Sequence, residues 1–302
     1  MKVVLTGASG LLGPALAASW RSDGHDVVRL VRRAPAAPDE AGWDPAAGTV
    51  DLGALRDAQV VVHLAGVGIG DRPWTPAHKR AVMDSRVQGT TTIARAVADA
   101  GVPTLLSMAG IGVYGNPGDA VCDEESPVGD SYLAKVVRAW EASTAPAVEG
   151  GARVVTMRTA LVVSGTGGAF GRLILLFRLG LGGRLGSGRQ WWSWVALSDY
   201  VRAVRFLADH PDISGPVNIS GPEPLTNAEV TAVMGRVLHR PTVLPVPGFA
   251  LKLPFRDFAE DLLGGQRVVP RRLQEAGFEF ADRTFEDALR SELARAHSRV
   301  TS

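Results

Sequence analysis

The stretch TGASGLLG (6–13) decides the fold of the amino-terminal half of this chain. It follows a short β-branched run, VVLT (3–6), and leads into the helical pattern of PALAASWRSDG (14–24). A glycine at every third position permits a tight turn, a close approach of the backbone to a pyrophosphate, and close packing of a helix on a sheet. A helix that begins at the loop also offers its positive end to a phosphate. The stretch therefore predicts a dinucleotide-binding loop, and a tight turn without a ligand is the alternative.

Strand and helix patterns alternate beyond this loop. The predicted strands are 3–6, 26–32, 59–66, 104–110 and 153–162, with a weak strand or a loop before 59. The helical patterns among them are 14–24, 79–100 and 131–143. This order indicates an α/β protein in which helices cover both faces of a parallel sheet, the Rossmann doubly wound architecture.

The second half changes character, because glycines crowd GLGGRLGSGRQWWSW (180–194). Helical patterns return at 197–210 and 227–238, and PVNISG (216–221) is typical of one more sheet strand. We therefore predict a smaller α/β substrate-binding domain that is interleaved with the Rossmann domain. The predicted boundaries are 1–163 plus 196–221 for the dinucleotide-binding domain, and 164–195 plus 222–302 for the substrate-binding domain.

The end of the second predicted strand bears on the choice of dinucleotide. An NAD site usually has an acidic residue here, which accepts hydrogen bonds from the ribose hydroxyls. The sequence instead reads LVRR (30–33), with no carboxylate before Asp39. Arg32 and Arg33 would pair with a 2′-phosphate through charge-assisted bidentate hydrogen bonds. The sequence therefore predicts NADP(H), and the alternative is that both arginines are solvated surface charges.

Composition and charge exclude several classes of protein. Of the 302 residues, 46% are hydrophobic and 21% are charged, which is typical of a globular protein, and the formal net charge of +1 gives no support for nucleic-acid binding. The single cysteine, Cys122, excludes an internal disulfide and fits a reducing compartment. The start MKVVLTGASG lacks the apolar region of a signal peptide, so we expect a cytoplasmic protein.

Two further patterns argue against a membrane span and against a metal site. AFGRLILLFRLGLGG (169–183) is interrupted by Arg172 and Arg178, which favours a buried or pocket-lining helix over a membrane span. The six histidines show no metal-ligand spacing, so no metal is predicted. His63, on the strand 59–66, is interpreted as a core histidine.

Several motifs resemble one family of proteins. They are TGASGLLG (6–13), WDP (43–45), HLAG (63–66), RPW (72–74), DSR (84–86), SMAGIGVYG (107–115), RAWE (138–141), LFRLGLGGRLGSGRQWWSW (176–194), PVNISGPEPLTNAE (216–229), RP (240–241) and GGQRVVPRRLQEAGFEF (264–280). Along essentially its whole length the chain resembles extended or atypical short-chain dehydrogenase/reductases. Within them it is similar to the subgroup labelled epimerase family protein or sugar-nucleotide epimerase family.

The resemblance implies a Rossmann domain with a smaller C-terminal substrate domain, and NADP(H) as the cofactor. Dimers are common in this group, so a homodimer is one expectation. By motif position, the implied cofactor contacts are Gly7, Ser9, Gly10, Leu11, Leu12, Gly13, Arg32, Arg33, Leu64, Ala65, Gly66, Arg86 and Ser107. The glycine-loop residues of this set would meet the pyrophosphate, and Arg32 would meet the 2′-phosphate. The word epimerase describes a fold relationship and does not indicate a reaction.

The catalytic Ser–Tyr–Lys set of the wider family is incomplete here. Tyr132 and Lys135 in SYLAKVVRAWE (131–141) are separated by two residues instead of three, which rotates Lys135 by about 100° around a helix. The subgroup generally has Phe in place of Tyr132, and Ala109 replaces its second hydroxyl while Ser107 remains. Tyr132 as acid or base, Lys135 as the group that lowers its pKa, and Ser107 are the candidate catalytic residues. The alternative is that Tyr132 is a pocket-wall aromatic and Lys135 a solvated residue.

Three other features leave alternatives open. Tyr114 is either a polar group near the crevice or a loop anchor, and Trp191, Trp192 and Trp194 either wall a substrate pocket or pack between the domains. In SWVALSD (193–199), Ala196 stands where relatives commonly have His, and Asp199 is interpreted as the cap of a helix that begins near Tyr200.

Two functions fit these patterns. The first is an NADP(H)-dependent oxidoreductase or epimerase that acts on an unidentified small carbonyl or sugar-like substrate, which the complete second domain favours. The second is an NADP(H)-binding sensor or regulatory protein with weak or absent catalysis, which the degenerate Ser–Tyr–Lys set favours. The enzyme is the preferred interpretation, and the sensor is the alternative.

Overall fold

The computed structural model describes residues 1–242, 245 and 264–301. Its strands are β1 (Lys2–Thr6), β2 (Asp26–Val31), β3 (Glu40–Asp44), β4 (Thr49–Val50), β5 (Val60–His63), β6 (Thr104–Gly110), β7 (Val121–Cys122), β8 (Arg153–Thr159), β9 (Leu161–Val163), β10 (Trp191–Trp192), β11 (Trp194–Ala196), β12 (Gly215–Ile219), β13 (Leu225–Thr226) and β14 (Arg267–Val268). Its helices are α1 (Leu12–Ser22), α2 (Leu52–Leu55), α3 (Pro76–Asp99), α4 (Tyr132–Ala142), α5 (Ala145–Glu149), α6 (Gly168–Arg178), α7 (Leu197–Asp209), α8 (Asn227–Leu238), α9 (Arg271–Glu275) and α10 (Phe285–Thr301). A 3₁₀ turn spans Ile111–Tyr114.

The main sheet runs β12-β8-β6-β5-β1-β2-β3-β4 in the described part of the chain. The neighbours from β12 to β3 pair in parallel, and only the β3–β4 edge is antiparallel. β1 is central, between β5 and β2, so its carboxyl end lies at the point where the strand order reverses. The predicted α/β fold class with a Rossmann doubly wound sheet is confirmed.

Helices cover both faces of this sheet, as the alternation of side chains along β1 requires. Val3 and Leu5 pack on one face against α1 and α7, whereas Val4 packs on the other face against α3. Trp20 of α1 is fully buried in the first of these cores. Full burial of each such side chain stabilises the fold by about 1.5–3 kcal/mol.

The predicted strand 153–162 is divided in the structure. β8 stays in the main sheet, whereas β9 leaves it and pairs in parallel with β11. The break falls at Ala160, whose N–H donates to the carbonyl of Ile219. The chain thereby passes into a second core, in which Phe170 of α6, Trp194 of β11 and Phe285 of α10 pack together.

Residues 196–221 return to the main sheet through α7 and β12. The predicted domain boundaries stay a prediction. Leu273 and Phe278, which lie in the range 222–302, pack in the core between the sheet and α7. The interleaving is therefore deeper than the predicted division of the chain.

Two helix starts show how local polar groups set the boundaries. α8 begins as predicted at Asn227, because Thr226 and Glu229 form a capping box. α7 begins at Leu197, as the helical pattern 197–210 predicts, but its N-cap is Ala196, so the interpretation of Asp199 as the cap of a helix that begins near Tyr200 is wrong. The buried Asp199 carboxylate instead accepts hydrogen bonds from the N–H groups of Ala281 and Asp282, so it anchors the C-terminal segment.

Candidate functional site

The glycine loop joins the carboxyl end of β1 to α1 and is closely packed. Gly7 has φ of +69°, and a Cβ there would lie 2.8 Å from the carbonyl carbon of Leu64. A Cβ at Gly13 would lie 2.6 Å from Cα of Ala8. A Cβ at Gly10 would lie 3.5 Å from its nearest neighbour, so the protein itself leaves room for a side chain there. Gly10 and Ser9 are both exposed, and the missing side chain keeps this outer side of the loop open. The loop has the form that a dinucleotide requires.

The amino end of α1 is open to an anion. The helix has Leu11 as its N-cap, with no side-chain cap hydrogen bond and no acidic residue in its first turn. The first amides of a helix have no partner within it, and the helix dipole favours negative charge at this end. The loop and the helix therefore form a phosphate-binding geometry.

The segment after β5 faces the glycine loop. Thr6 Oγ1 accepts hydrogen bonds from the amides of Leu64 and Ala65 at 3.1 and 3.3 Å, and it lies 2.8 Å from Nδ1 of His63. Because two amides occupy the acceptor side of the hydroxyl, its hydrogen is left for His63. Burial lowers the pKa of His63 to about 3, and the ring packs edge-on to Trp43. This is the neutral core histidine that its strand position predicts.

The two arginines at the end of β2 differ in their contacts. Both terminal nitrogens of the Arg33 guanidinium donate to the Glu40 carboxylate, at 2.8 and 2.7 Å. Arg29 makes the corresponding pair with Asp39, and hydrogen bonds from this guanidinium lower the pKa of Asp39 to about 2. Arg32 is exposed and has no ion-pair or hydrogen-bond partner among the described residues. Of the two predicted phosphate ligands, Arg32 is the one whose donors remain unoccupied.

Arg86 is buried on α3, with 6% of its surface exposed. One terminal nitrogen donates to the carbonyls of Val67 and Val82 at 2.9 and 3.1 Å, and the guanidinium carbon lies 4.7 Å from the ring centroid of Trp140. Burial lowers the pKa of Arg86 to about 10, which still leaves it charged at neutral pH. The guanidinium is therefore supported by carbonyl dipoles and an aromatic face.

The candidate catalytic residues are not joined to one another. The Tyr132 hydroxyl donates to the carbonyl of Lys79 at 2.8 Å, and its ring packs edge-on to Trp74. Burial raises the pKa of Tyr132, the opposite direction to that of an activated tyrosine. Lys135 is exposed on α4, and Ser107 is 1% exposed on β6 with an Oγ that has no hydrogen-bond partner.

A buried polar network lies beside these residues, and the sequence patterns did not reveal it. Arg158 of β8 donates to both carboxylate oxygens of Glu141 at 2.7 and 3.0 Å, and to the hydroxyl of Tyr114 at 3.1 Å. Tyr114 donates in turn to Oδ1 of Asn218 at 2.7 Å, and burial raises its pKa to about 12. This geometry makes Tyr114 an anchor between the 3₁₀ turn and β12. The sequence offered two signals for the network, the glutamate of RAWE and Tyr114, for which a loop anchor was one of the two interpretations.

The three tryptophans differ in their burial. Trp192 and Trp194 are buried in the second core with Phe170. Trp191 is half-buried, its indole N–H donates to Oδ1 of Asp119 at 2.8 Å, and the guanidinium carbon of Arg267 lies 4.4 Å from the centroid of its ring. Trp191 is therefore the one whose ring is partly open to a ligand.

Residues 1–242, 245 and 264–301 contain neither a membrane-spanning helix nor a cluster of metal ligands. No helix there is long and apolar enough to cross a membrane. No three or more His, Cys, Asp or Glu side chains come together there as a metal-binding group.

α6 buries Phe170, Ile174 and Phe177 and leaves its opposite side exposed at Leu175 and Leu176.

Fold and glycine loop together define the class, a Rossmann-type α/β protein with a dinucleotide-type loop. The model of the NAD dependent epimerase/dehydratase family matches residues 3–220, and that of a domain of unknown function (DUF1731) matches residues 246–292. The chain belongs to the NAD dependent epimerase/dehydratase family, and the predicted resemblance to epimerase family proteins is confirmed.

Relatives match along almost the whole chain. Epimerase family protein Mb2239 of Mycobacterium bovis is 48% identical over 288 residues, which cover 95% of this chain and 96% of that protein. Epimerase family protein SDR39U1 of Homo sapiens is 32% identical over 287 residues, which cover 93% and 96%.

Solved structures agree with these relatives. The crystal structure of human SDR39U1 (isoform 2) with NADPH has a TM-score of 0.89 and 30% identity, covering 97% of this chain and 99% of that one. The nucleoside-diphosphate sugar epimerase from Corynebacterium glutamicum has a TM-score of 0.80 and 34% identity, covering 98% of this chain and 58% of that one.

Proposed function

We propose that this protein binds NADP(H) and acts as an NADP(H)-dependent oxidoreductase or epimerase on a small carbonyl or sugar-like substrate. One observation supports this choice of cofactor. The closely packed glycine loop lies beside the end of β2, where the exposed guanidinium of Arg32 has no partner among the described residues. The presence of NADPH in the crystal structure of human SDR39U1 supports the same cofactor. When bound, NADP(H) supplies a hydride donor or acceptor.

Each part of the crevice has a role in this proposal. The proposed pyrophosphate contacts are Gly7, Ser9, Gly10, Leu11, Leu12 and Gly13, through backbone amides and the amino end of α1. Arg32 pairs with the 2′-phosphate, and Arg33, whose charge is balanced by Glu40, lies next to it as a weaker contact. Leu64, Ala65 and Gly66 line the adenosine or ribose side, near Arg86 and Ser107.

Hydride transfer to or from a carbonyl or hydroxyl group requires a proton donor or acceptor. Tyr132 is the residue proposed for that role, with Lys135 and Ser107 as its partners. Its hydroxyl would first have to leave the carbonyl of Lys79. That contact, together with the burial that raises the pKa of Tyr132, favours a second candidate function. In this candidate the protein is an NADP(H)-binding sensor or regulator with weak or absent catalysis.

Two measurements test these proposals. Titration of the protein with NADPH and with NADH, followed by fluorescence, gives both dissociation constants, and we expect the NADPH constant to be the smaller. Equal or tighter NADH binding contradicts the Arg32 assignment. A panel of carbonyl compounds is then screened for loss of NADPH absorbance, and tight binding without turnover across the panel supports the sensor.

The setting of the protein is also part of the proposal. The lone Cys122 supports a reducing, cytoplasmic compartment, and the family resemblance supports a homodimer. Light scattering of the purified protein measures the oligomeric state, and a monomer at micromolar concentration contradicts the dimer.

A further inference from the structure

Ser85 and Arg86, neighbours on α3, hold a single residue of the segment after β5. The N–H of Val67 donates to Oγ of Ser85 at 3.1 Å. The carbonyl of the same residue accepts from a terminal nitrogen of Arg86 at 2.9 Å. Both backbone polar groups of Val67 are thus satisfied by side chains of one helix.

The two side chains are themselves fixed. Oγ of Ser85 donates to the carbonyl of Val82 at 3.2 Å, and the same nitrogen of Arg86 donates to that carbonyl at 3.1 Å. The guanidinium is also packed on the face of Trp140. Side chains whose rotamers are locked in this way can position another group accurately.

Val67 ends a short segment that borders the glycine loop. At its start, Leu64 and Ala65 are bound through their amides to Thr6. The backbone of this segment lies so close to the glycine loop that a Cβ on Gly7 would be 2.8 Å from the carbonyl carbon of Leu64 and 2.9 Å from the nitrogen of Ala65. Val67 is therefore the far end of a segment whose start lies directly against the glycine loop.

We propose that Ser85 and Arg86 are positioning residues, which clamp Val67 and so hold residues 64–67 in the shape that lines the cofactor crevice. This inference rests on the proposed NADP(H) binding. In this proposal Arg86 acts through Val67, because the terminal nitrogen that donates to the carbonyl of Val67 is also held by the carbonyl of Val82. The role differs from the direct cofactor contact that the family resemblance implies.

Variants at the two positions distinguish a clamp from a direct phosphate contact. We expect Ser85→Ala to weaken NADPH and NADH by the same factor, about fivefold, because one hydrogen bond of about 1 kcal/mol is lost. Ser85→Thr restores the hydroxyl and the affinity. Arg86→Met weakens both dinucleotides equally, by about tenfold, whereas Arg95→Met, an exposed arginine of the same helix, leaves both unchanged.

A double-mutant cycle gives the sharper test. Because both side chains act through Val67, the loss of affinity in Ser85→Ala/Arg86→Met should be clearly smaller than the product of the single losses. The clamp is overturned if the two losses of affinity are independent or if Ser85→Ala binds both dinucleotides as the wild type does. It is also overturned if the loss in Arg86→Met depends on salt or is larger for NADPH than for NADH.

Hydrogen exchange separates failure of the clamp from failure of the proposed function. In protein without cofactor, the Val67 amide should exchange faster in Ser85→Ala than in the wild type, while amides of the main sheet are unchanged. Unchanged exchange at Val67 overturns the clamp even when dinucleotides bind. A wild-type protein that binds neither NADPH nor NADH overturns the proposed function and the positioning of a cofactor with it, whatever the exchange at Val67 shows.

Discussion

The glycine-loop crevice and the α4 region carry equally recognisable family motifs, yet they use them differently. In the crevice, backbone atoms approach closely and Arg32 keeps its donors unoccupied. Around α4, the polar groups are bound to the protein itself, with Tyr132 on a backbone carbonyl and Glu141 on Arg158. A motif that serves a ligand thus leaves hydrogen-bond donors or space unoccupied, whereas a motif that serves the fold uses them in contacts within the protein.

The largest effect is expected from Gly7→Ala, which tests the crevice. The change places a Cβ within 3.0 Å of three backbone atoms at a residue with φ of +69°. We expect the free energy of unfolding to fall by about 4 kcal/mol and NADPH affinity to fall at least 100-fold. Chemical unfolding and cofactor titration measure the two quantities. Gly42→Ala, where a Cβ meets nothing within 4 Å, is the control, and equal behaviour of both variants contradicts the steric argument.

Glu141→Gln tests the α4 region by leaving the buried Arg158 guanidinium without its counter-ion. Loss of one partner of a buried ion pair is expected to lower the free energy of unfolding by about 3 kcal/mol. Urea unfolding measures this loss. Glu149→Gln, which changes an exposed glutamate on α5, should have almost no effect. A stable Glu141→Gln protein would mean that RAWE is not a structural motif.

Arg32→Ala and Arg33→Ala separate the two guanidiniums at the end of β2. Because Arg33 is bound to Glu40 and Arg32 is not, we expect Arg32→Ala to cost about 2 kcal/mol of NADPH affinity, roughly 30-fold, with NADH unchanged. Arg33→Ala should cost NADPH affinity less than about fivefold. Equal losses in the two variants contradict the distinction.

Tyr132→Phe asks whether α4 keeps any catalytic role. The loss of the hydrogen bond to Lys79 is expected to lower the free energy of unfolding by about 1 kcal/mol and to leave NADPH affinity unchanged. Lys135→Ala, on the exposed side of α4, should change stability by less than about 0.5 kcal/mol. Once a substrate is found, a drop in turnover of about 100-fold or more in Tyr132→Phe establishes the tyrosine as acid or base.

The smallest expected effect is a pH dependence of the free energy of unfolding that comes from Asp39, near the end of β2. Hydrogen bonds from Arg29 hold the pKa of Asp39 at about 2, below the value of 3.8 for an unperturbed carboxyl. Because the folded-state pKa is lowered, the contribution to stability is complete above pH 3.8 and is lost as the pH falls towards 2. The pair is partly exposed, so Asp39→Asn should remove less than about 1 kcal/mol. Acid unfolding of both proteins checks this, and identical curves between these pH values refute it.

Much of the fold could be predicted because local patterns specify it. Apolar and β-branched runs predicted β1, β2, β5, β6, β8 and β12 of the main sheet, whereas β3 and β4 were expected only as a weak strand or a loop. α8 was predicted at its observed bounds. The break at Ala160 could not be predicted, because Arg153–Thr159 and Leu161–Val163 have the same strand propensity and differ only in their distant partners, β12 and β11. Asp199 was misinterpreted for a similar reason, since its partners, the amides of Ala281 and Asp282, lie far along the chain.

By itself, the sequence determined the α/β class, the glycine loop, the family and the absence of a carboxylate after β2, because each of these depends on residues that are near neighbours in the chain. Only the tertiary structure decided which of the two arginines after β2 has no partner and which group accepts the hydrogen bond of the Tyr132 hydroxyl. It also decided that Ser85 and Arg86 both bind the backbone of Val67. The physical reason is that a hydrogen bond depends on the direction of a side chain and on a partner that folding brings near it, and residue spacing along the chain specifies neither.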